Sequence, residues 1–171
     1  RVFWVCHENR IMRYFTKRCI IVDFHLDGLL NLPYITVEGC HRGEQNTVLK
    51  VGILREESAC PHCLTASYDI NQNNSILIRD LSISGQHIYL EIPHRQFYCK
   101  SCQKYFTERL SFVDWERRYT QRYEDYIYRR VQVSTIEQVK REEALSWDQV
   151  QGIFTHKREQ LKKPLSAKLN V

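Results

Sequence analysis

A chain of 171 residues, 43% hydrophobic and 12% aromatic, is long enough for one domain or two small ones and too apolar to be disordered. A net charge of +5 is compatible with a nucleic-acid partner without requiring one, so the placement of the charge matters more than its sum. No apolar run approaches the roughly 20 residues of a membrane span, and no secretory signal pattern is present, so a cytoplasmic protein with no membrane partner is expected.

The sequence begins at Arg1 and its only methionine is Met12; residues 1–25 read as an N-terminal extension to which no structure is assigned. Residues 26–58 read as a β-hairpin region. Leu26, Leu29, Leu30 and Leu32 suggest a short helix or turn ended by Pro33. Tyr34–Glu38 is a strand rich in β-formers, 39–46 a polar turn, and Thr47–Leu54 the strand that pairs back.

Residues 59–112 read as a zinc ribbon. Cys60-Pro61-His62-Cys63 and Cys99-Lys100-Ser101-Cys102 are two Cys-x-x-Cys knuckles. Four thiolates offered as two close pairs suit one structural Zn²⁺ with tetrahedral sulfur ligation. Iron in a rubredoxin-like site is the competing reading. A catalytic zinc is disfavoured because four thiolates leave no position for water. A thioredoxin-like redox motif would need a knuckle at a helix start in a βαβ unit, which is lacking. His62 reads as solvent-facing. Cys6, Cys19 and Cys40 have no partner at metal spacing and read as core residues or free thiols. Between the knuckles, Asp69–Ser75 reads as a polar loop, Ser75–Leu81 as a strand, 84–86 as a turn and His87–Ile92 as an alternating strand. So small a ribbon is expected to need its metal to fold.

From Thr120 the apolar period changes from two to about 3.6. Tyr123, Tyr126, Ile127 and Val131 define one helical face. Ser134-Thr135-Ile136-Glu137 and Ser146-Trp147-Asp148-Gln149 read as capping boxes that open two further helices, joined through Ala144-Leu145. Residues 113–158 thus read as a helix-turn-helix, with a plain helical hairpin as the bland alternative. Lys140, Glu143 and Ala144 depart from the small, apolar and glycine residues expected there; Val139, Leu145, Val150 and Ile153 keep the core spacing. In this reading Trp147, Asp148, Gln151 and Thr155 face the major groove, with Ser146 near phosphate. Trp147 has a rival role as a core plug. Arg117, Arg118, Arg122, Lys157 and Arg158 are the expected phosphate contacts, and 159–171 a basic tail. No nucleophile elbow, phosphate loop or HExxH marks an active site.

Several stretches resemble the ISL-three family of bacterial insertion-sequence transposases. They are Leu29-Leu30-Asn31-Leu32-Pro33-Tyr34-Ile35-Thr36-Val37, the first knuckle, Ile78-Arg79-Asp80-Leu81, and Arg95-Gln96-Phe97-Tyr98 running into the second knuckle. Phe106-Thr107-Glu108 and the helical region to Phe154 fit as well. The resemblance spans about residues 26–156 and implies an α+β fold: a small β-rich zinc ribbon followed by a three-helix helix-turn-helix domain. It also implies recognition of the element's terminal inverted repeats on double-stranded DNA, a nucleoid-associated location, and a homodimer as one assembly. Family members continue into an RNase H-like catalytic domain. Nothing after residue 156 resembles that domain, so the expectation is a truncated copy with no catalytic capacity. Two alternatives stay open: a stand-alone repressor of the element, or a protein-interaction module using Tyr123, Tyr126 and Tyr128 as a contact face.

Overall fold

The structure is a computed structural model that describes residues 24–167; Cys6, Cys19, Lys168 and the chain's two ends lie outside the described residues. The element order is α1 (Phe24–Leu30), β1 (Ile35–Arg42), β2 (Asn46–Ile53), β3 (Ser58–Ala59), β4 (Ala66–Ser67), β5 (Ile70–Ile83), β6 (Gln86–Cys99), β7 (Lys104–Thr107), α2 (Gln121–Val133), α3 (Ile136–Glu143) and α4 (Trp147–Ala167). The expected α+β class, sheet first and helices after, is the observed one.

The sheet is larger than a ribbon. Its order is β1-β2-β6-β5, with β7 added beside the far half of β6. The first hairpin and the strands between the knuckles were expected as separate regions, 26–58 and 59–112. Instead β2 pairs with β6 in parallel, from Asn46 opposite His87 to Lys50 opposite Glu91, and both share one core. The reason lies in the side chains: β2 buries Thr47, Leu49 and Val51 in strict alternation, and β6 buries Ile88, Leu90 and Ile92. Each strand has one apolar face too long for its own hairpin to cover, and pairing side by side puts both on the same core. Helix α1 closes this core with Leu30 and is fixed by Asp27, which accepts from the Thr36 hydroxyl (2.8 Å) and the Val37 N–H (2.6 Å).

The polar loop expected over Asp69–Ser75 is a strand from Ile70 onward, with Asn73 opposite Arg95 and Asn74 opposite His94. These residues are exposed on an outer strand, so ladder hydrogen bonds are gained with no polar side chain buried, and pairing overrides weak β propensity. The turn expected over 39–46 is shorter, because β1 continues to Arg42 after a bulge between Val37 and Gly39. Pro93 sits where the pairing of β6 with β2 has ended at Glu91 and its pairing with β7 begins only at Gln96, a stretch of β6 with β5 alone beside it. Across that stretch the buried positions of β6 change parity, from Ile88, Leu90 and Ile92 to Arg95, Phe97 and Cys99. The strand therefore serves two cores, the sheet's own and a small one of Cys60, Phe97, Cys99 and Phe106 at the knuckle end.

The helices form a third core of Tyr123, Ile127, Val139, Leu145, Val150 and Ile153. The second helix starts one residue later than expected. Thr135, not Ser134, is the N-cap and accepts from the Gln138 N–H, while Ser134 caps the end of α2. The third helix opens as expected: the Ser146 hydroxyl accepts from the Gln149 N–H (3.2 Å) and the Gln149 side chain accepts from the Ser146 N–H (2.8 Å). Ala144 turns the chain between α3 and α4 in the left-handed conformation (φ 50°, ψ 44°). A β-carbon there costs roughly 1–2 kcal/mol. Ala144→Gly is accordingly expected to raise the unfolding free energy by about 1 kcal/mol. The check is urea unfolding, where a midpoint unchanged or lowered would contradict strain at this turn.

Candidate metal centre and nucleic-acid interface

The two knuckles meet at the end of the β5–β6 hairpin. The first follows β3 and is closed by its pairing with β4, where the Cys60 N–H also donates to the Thr65 carbonyl (2.9 Å). The second is the turn between β6 and β7. Cys60 Sγ lies 3.6 Å from Cys102 Sγ, Cys63 Sγ 3.4 Å from Cys99 Sγ, and all four sulfurs lie within 4.8 Å of one another. A disulfide would bring two sulfurs to about 2.05 Å. A regular tetrahedron of 2.3 Å metal–sulfur bonds has edges of about 3.8 Å. The donor set and its spacing fit one structural zinc.

The thiols differ in readiness to ionise. Hydrogen bonds from the Thr65 side chain and backbone, and then from Cys99, lower Cys63 to about 6. Burial, with the neighbouring cysteines, pushes Cys102 up to about 12. Metal uptake displaces the thiol protons, and acid competes with the metal for the sulfurs. His62 is exposed, as expected. Cys40 is an exposed free thiol on β1, so the core reading of that residue is replaced by the free-thiol one.

The helix-turn-helix is docked on the sheet by buried polar groups that sequence reasoning missed. Asp80, fully buried on β5, accepts from the Thr120 hydroxyl (2.7 Å) and pairs through both carboxylate oxygens with the Arg122 guanidinium, which also donates to the Leu30 carbonyl (2.6 Å). The backbone continues the link: the Arg79 N–H donates to the Arg118 carbonyl and the Thr120 N–H to the Arg79 carbonyl. The Arg79 side chain enters the helical core, where it donates to the Glu143 carbonyl (2.5 Å) and lies 3.4 Å from its carboxylate. The Tyr123 hydroxyl donates to the same carboxylate at 3.1 Å. Glu143, the polar residue at an apolar position of the motif, is thus matched by an arginine brought from the sheet.

Trp147 is 50% exposed, which removes the core-plug reading. Ser146, Asp148 and Arg158 are exposed, and Gln151 and Thr155 half-buried, with the Gln151 amide 3.4 Å from the Thr155 hydroxyl. At 100° per residue, Trp147, Asp148, Gln151, Thr155 and Arg158 fall on one stripe of α4. The opposite side carries Val150, Ile153 and Lys157. Lys157 is buried and bonded to Asp125 (2.7 Å), because it stands one residue and 100° away from Arg158. Arg117 is likewise bonded to buried Glu124 (2.6 Å), and Arg122 to Asp80. Arg117, Arg122 and Lys157 thus each have their charge matched within the fold. Arg118 and Arg158 are exposed and make no ion pair among the described residues. Of the tyrosine face offered for protein contact, Tyr123 is fully buried, while Tyr126 and Tyr128 are half-buried, Tyr128 stacked on Phe154 with centroids 5.2 Å apart.

Four clustered thiols on a ribbon, joined to a helix-turn-helix, define the zinc-ribbon and helix-turn-helix class of protein, whose second module is a DNA-binding motif. Residues 56–102 match the family profile described as the zinc-finger of transposase IS204/IS1001/IS1096/IS1165, and residues 108–156 the helix-turn-helix domain of transposase family ISL3. Together the matches cover more than half of the sequence, and the chain belongs to the ISL3 transposase family, of which it carries these two modules. No curated protein and no solved structure matches it significantly. The zinc-finger match favours zinc over iron at the four cysteines. Among the described residues no helix is long and apolar enough to cross a membrane.

Proposed function

We propose that these modules recognise the terminal inverted repeats of an insertion sequence, with α4 laid in the major groove of duplex DNA. The observation that carries this reading is the outward stripe of Trp147, Asp148, Gln151, Thr155 and Arg158, exposed at Trp147, Asp148 and Arg158 and half-buried at Gln151 and Thr155, on a helix whose other side is locked into the core. Gln151 suits a bidentate contact to adenine, Asp148 accepts from a cytosine amino group, and Trp147 offers an apolar surface to a thymine methyl. The Ser146 hydroxyl accepts from Gln149 and keeps its own hydrogen free for a phosphate at the positive end of the helix. Arg118 and Arg158 add phosphate contacts that give affinity without sequence preference. The zinc end stiffens the β5–β6 hairpin, whose β5 carries Arg79 and Asp80 to the helices and so sets the pose of α4.

Substitutions separate the two kinds of contact. Gln151→Ala is expected to cost about 1–3 kcal/mol on the repeat and to relax preference at one base pair. Arg118→Ala is expected to weaken repeat and scrambled duplex alike and to reduce the salt slope by about one. Competition binding on both duplexes at several salt concentrations reads these effects. Equal losses on both duplexes for Gln151→Ala would remove that residue from base recognition.

A further inference from the structure

We propose that Asp114, Glu124 and His156 form a second cation site, separate from the cysteines, for one divalent first-row ion bound through oxygen and imidazole nitrogen. The three come from three elements: the segment before α2, the first turn of α2, and α4. Their ligand atoms all lie within 4.8 Å of one another, with His156 Nε2 at 3.0 Å from Asp114 Oδ2 and 3.7 Å from Glu124 Oε2.

The second observation is an unsatisfied atom. Glu124 is fully buried, and while its Oε1 accepts from Arg117 Nε, its Oε2 has no hydrogen-bond partner among the described residues and lies 3.7 Å from His156 Nε2. A buried carboxylate oxygen without a donor costs stability unless something positive meets it. Burial accordingly raises the Glu124 pKa, with Arg117 opposing the rise. At Asp114 burial also acts upward, but hydrogen bonds from His156, Gln121 and Gln160 prevail and hold it below the usual carboxylate range.

The electrostatics admit an ion. Of the two carboxylates only Glu124 is paired with an arginine, Arg117, which leaves the charge of Asp114 before the imidazole is counted, and Lys157 is turned away onto Asp125. The Gln160 amide nitrogen lies 2.5 Å from Asp114 Oδ2 and 3.1 Å from His156 Nε2. Turned over, that amide presents its oxygen as a fourth ligand. Two carboxylates with one imidazole suit Mn²⁺ or Zn²⁺. An ion there would bind α4 to α2 and to the segment leading out of the sheet.

The rival arrangement is His156 held directly by the two carboxylates with no ion. The test uses the full zinc-loaded chain titrated with Mn²⁺, free Mn²⁺ being read by electron paramagnetic resonance. Mn²⁺ is the weakest binder of the first-row series and prefers oxygen, so it leaves the four-thiolate zinc in place. One Mn²⁺ bound per chain is expected. His156→Ala and Asp114→Asn should each weaken it by more than roughly the tenfold seen for an outer-sphere partner. Both positions are partly exposed, and circular dichroism of each variant confirms the fold before titration. No Mn²⁺ uptake at millimolar concentration, or uptake unchanged in both folded variants, would overturn the site.

Discussion

Cys99→Ser is expected to abolish stoichiometric zinc binding and to unfold the knuckle end of the molecule while the helical core survives. Cys99 is buried at the junction of β6 with the second knuckle, and its sulfur lies 3.4 Å from that of Cys63. A serine hydroxyl is a poor substitute for a thiolate toward zinc, and three remaining thiolates leave the ion open to water. The core at this end holds only Cys60, Phe97, Cys99 and Phe106, with Cys102 beside it. So few apolar groups cannot offset the entropy of ordering two knuckles and the short strands β3 and β4, so metal binding supplies the folding free energy there. The sheet core around Ile78, Leu90 and Val51 and the helical core around Tyr123 and Ile153 are separate clusters. Metal analysis with hydrogen exchange checks both parts. The expected pattern is lost zinc, lost protection from Cys60 to Ser67 and through β7, and retained protection in α2 and α4. Retained zinc with unchanged exchange would contradict it.

The second large effect is expected at Asp80. Asp80→Ala removes the carboxylate that holds both the Thr120 hydroxyl and the Arg122 guanidinium, at a position with no solvent exposure. Breaking a buried ion pair by deleting one partner costs about 3–5 kcal/mol, because the other charge is left without compensation. Arg122 is a third exposed and reaches some water, which places the expected loss toward the lower end of that range. Asp80→Asn keeps an oxygen for Thr120 and loses only the charge, so it should fall between the wild type and Asp80→Ala. Chemical unfolding of the three proteins measures the order. Because Asp80 joins the sheet to the start of α2, Asp80→Ala should also loosen the docking of the helices. Equal stability of Asp80→Ala and the wild type would show that this contact does not hold the modules together.

What the sequence disclosed follows from how local each signal is. The knuckles were legible because a Cys-x-x-Cys pair is a short-range ligand geometry, and four ligands close one tetrahedron wherever the chain brings them together. The α4 cap was legible for the same reason: Ser146 and Gln149 satisfy each other within one turn. The parallel pairing of β2 with β6 was not, since it joins strands 41 residues apart at Asn46 and His87, and periodicity shows a face without naming its partner. Arg79 looked like one of a run of family-like residues, and Glu143 like a flaw in the helix-turn-helix pattern. Only the fold shows that each exists for the other. The arginines and lysines look alike in sequence for a related reason. Charge counts in sequence cannot distinguish Arg118, exposed, from Arg117, held by Glu124 one residue earlier.

Fluorescence anisotropy of the zinc-loaded protein on the element's terminal repeat, against a scrambled duplex at two salt concentrations, tests recognition by α4 most directly. Preference for the repeat by about 4 kcal/mol or more, persisting at the higher salt, is the expected result. Equal binding to both duplexes that vanishes together as salt rises would contradict it, leaving a basic surface and no recognition helix.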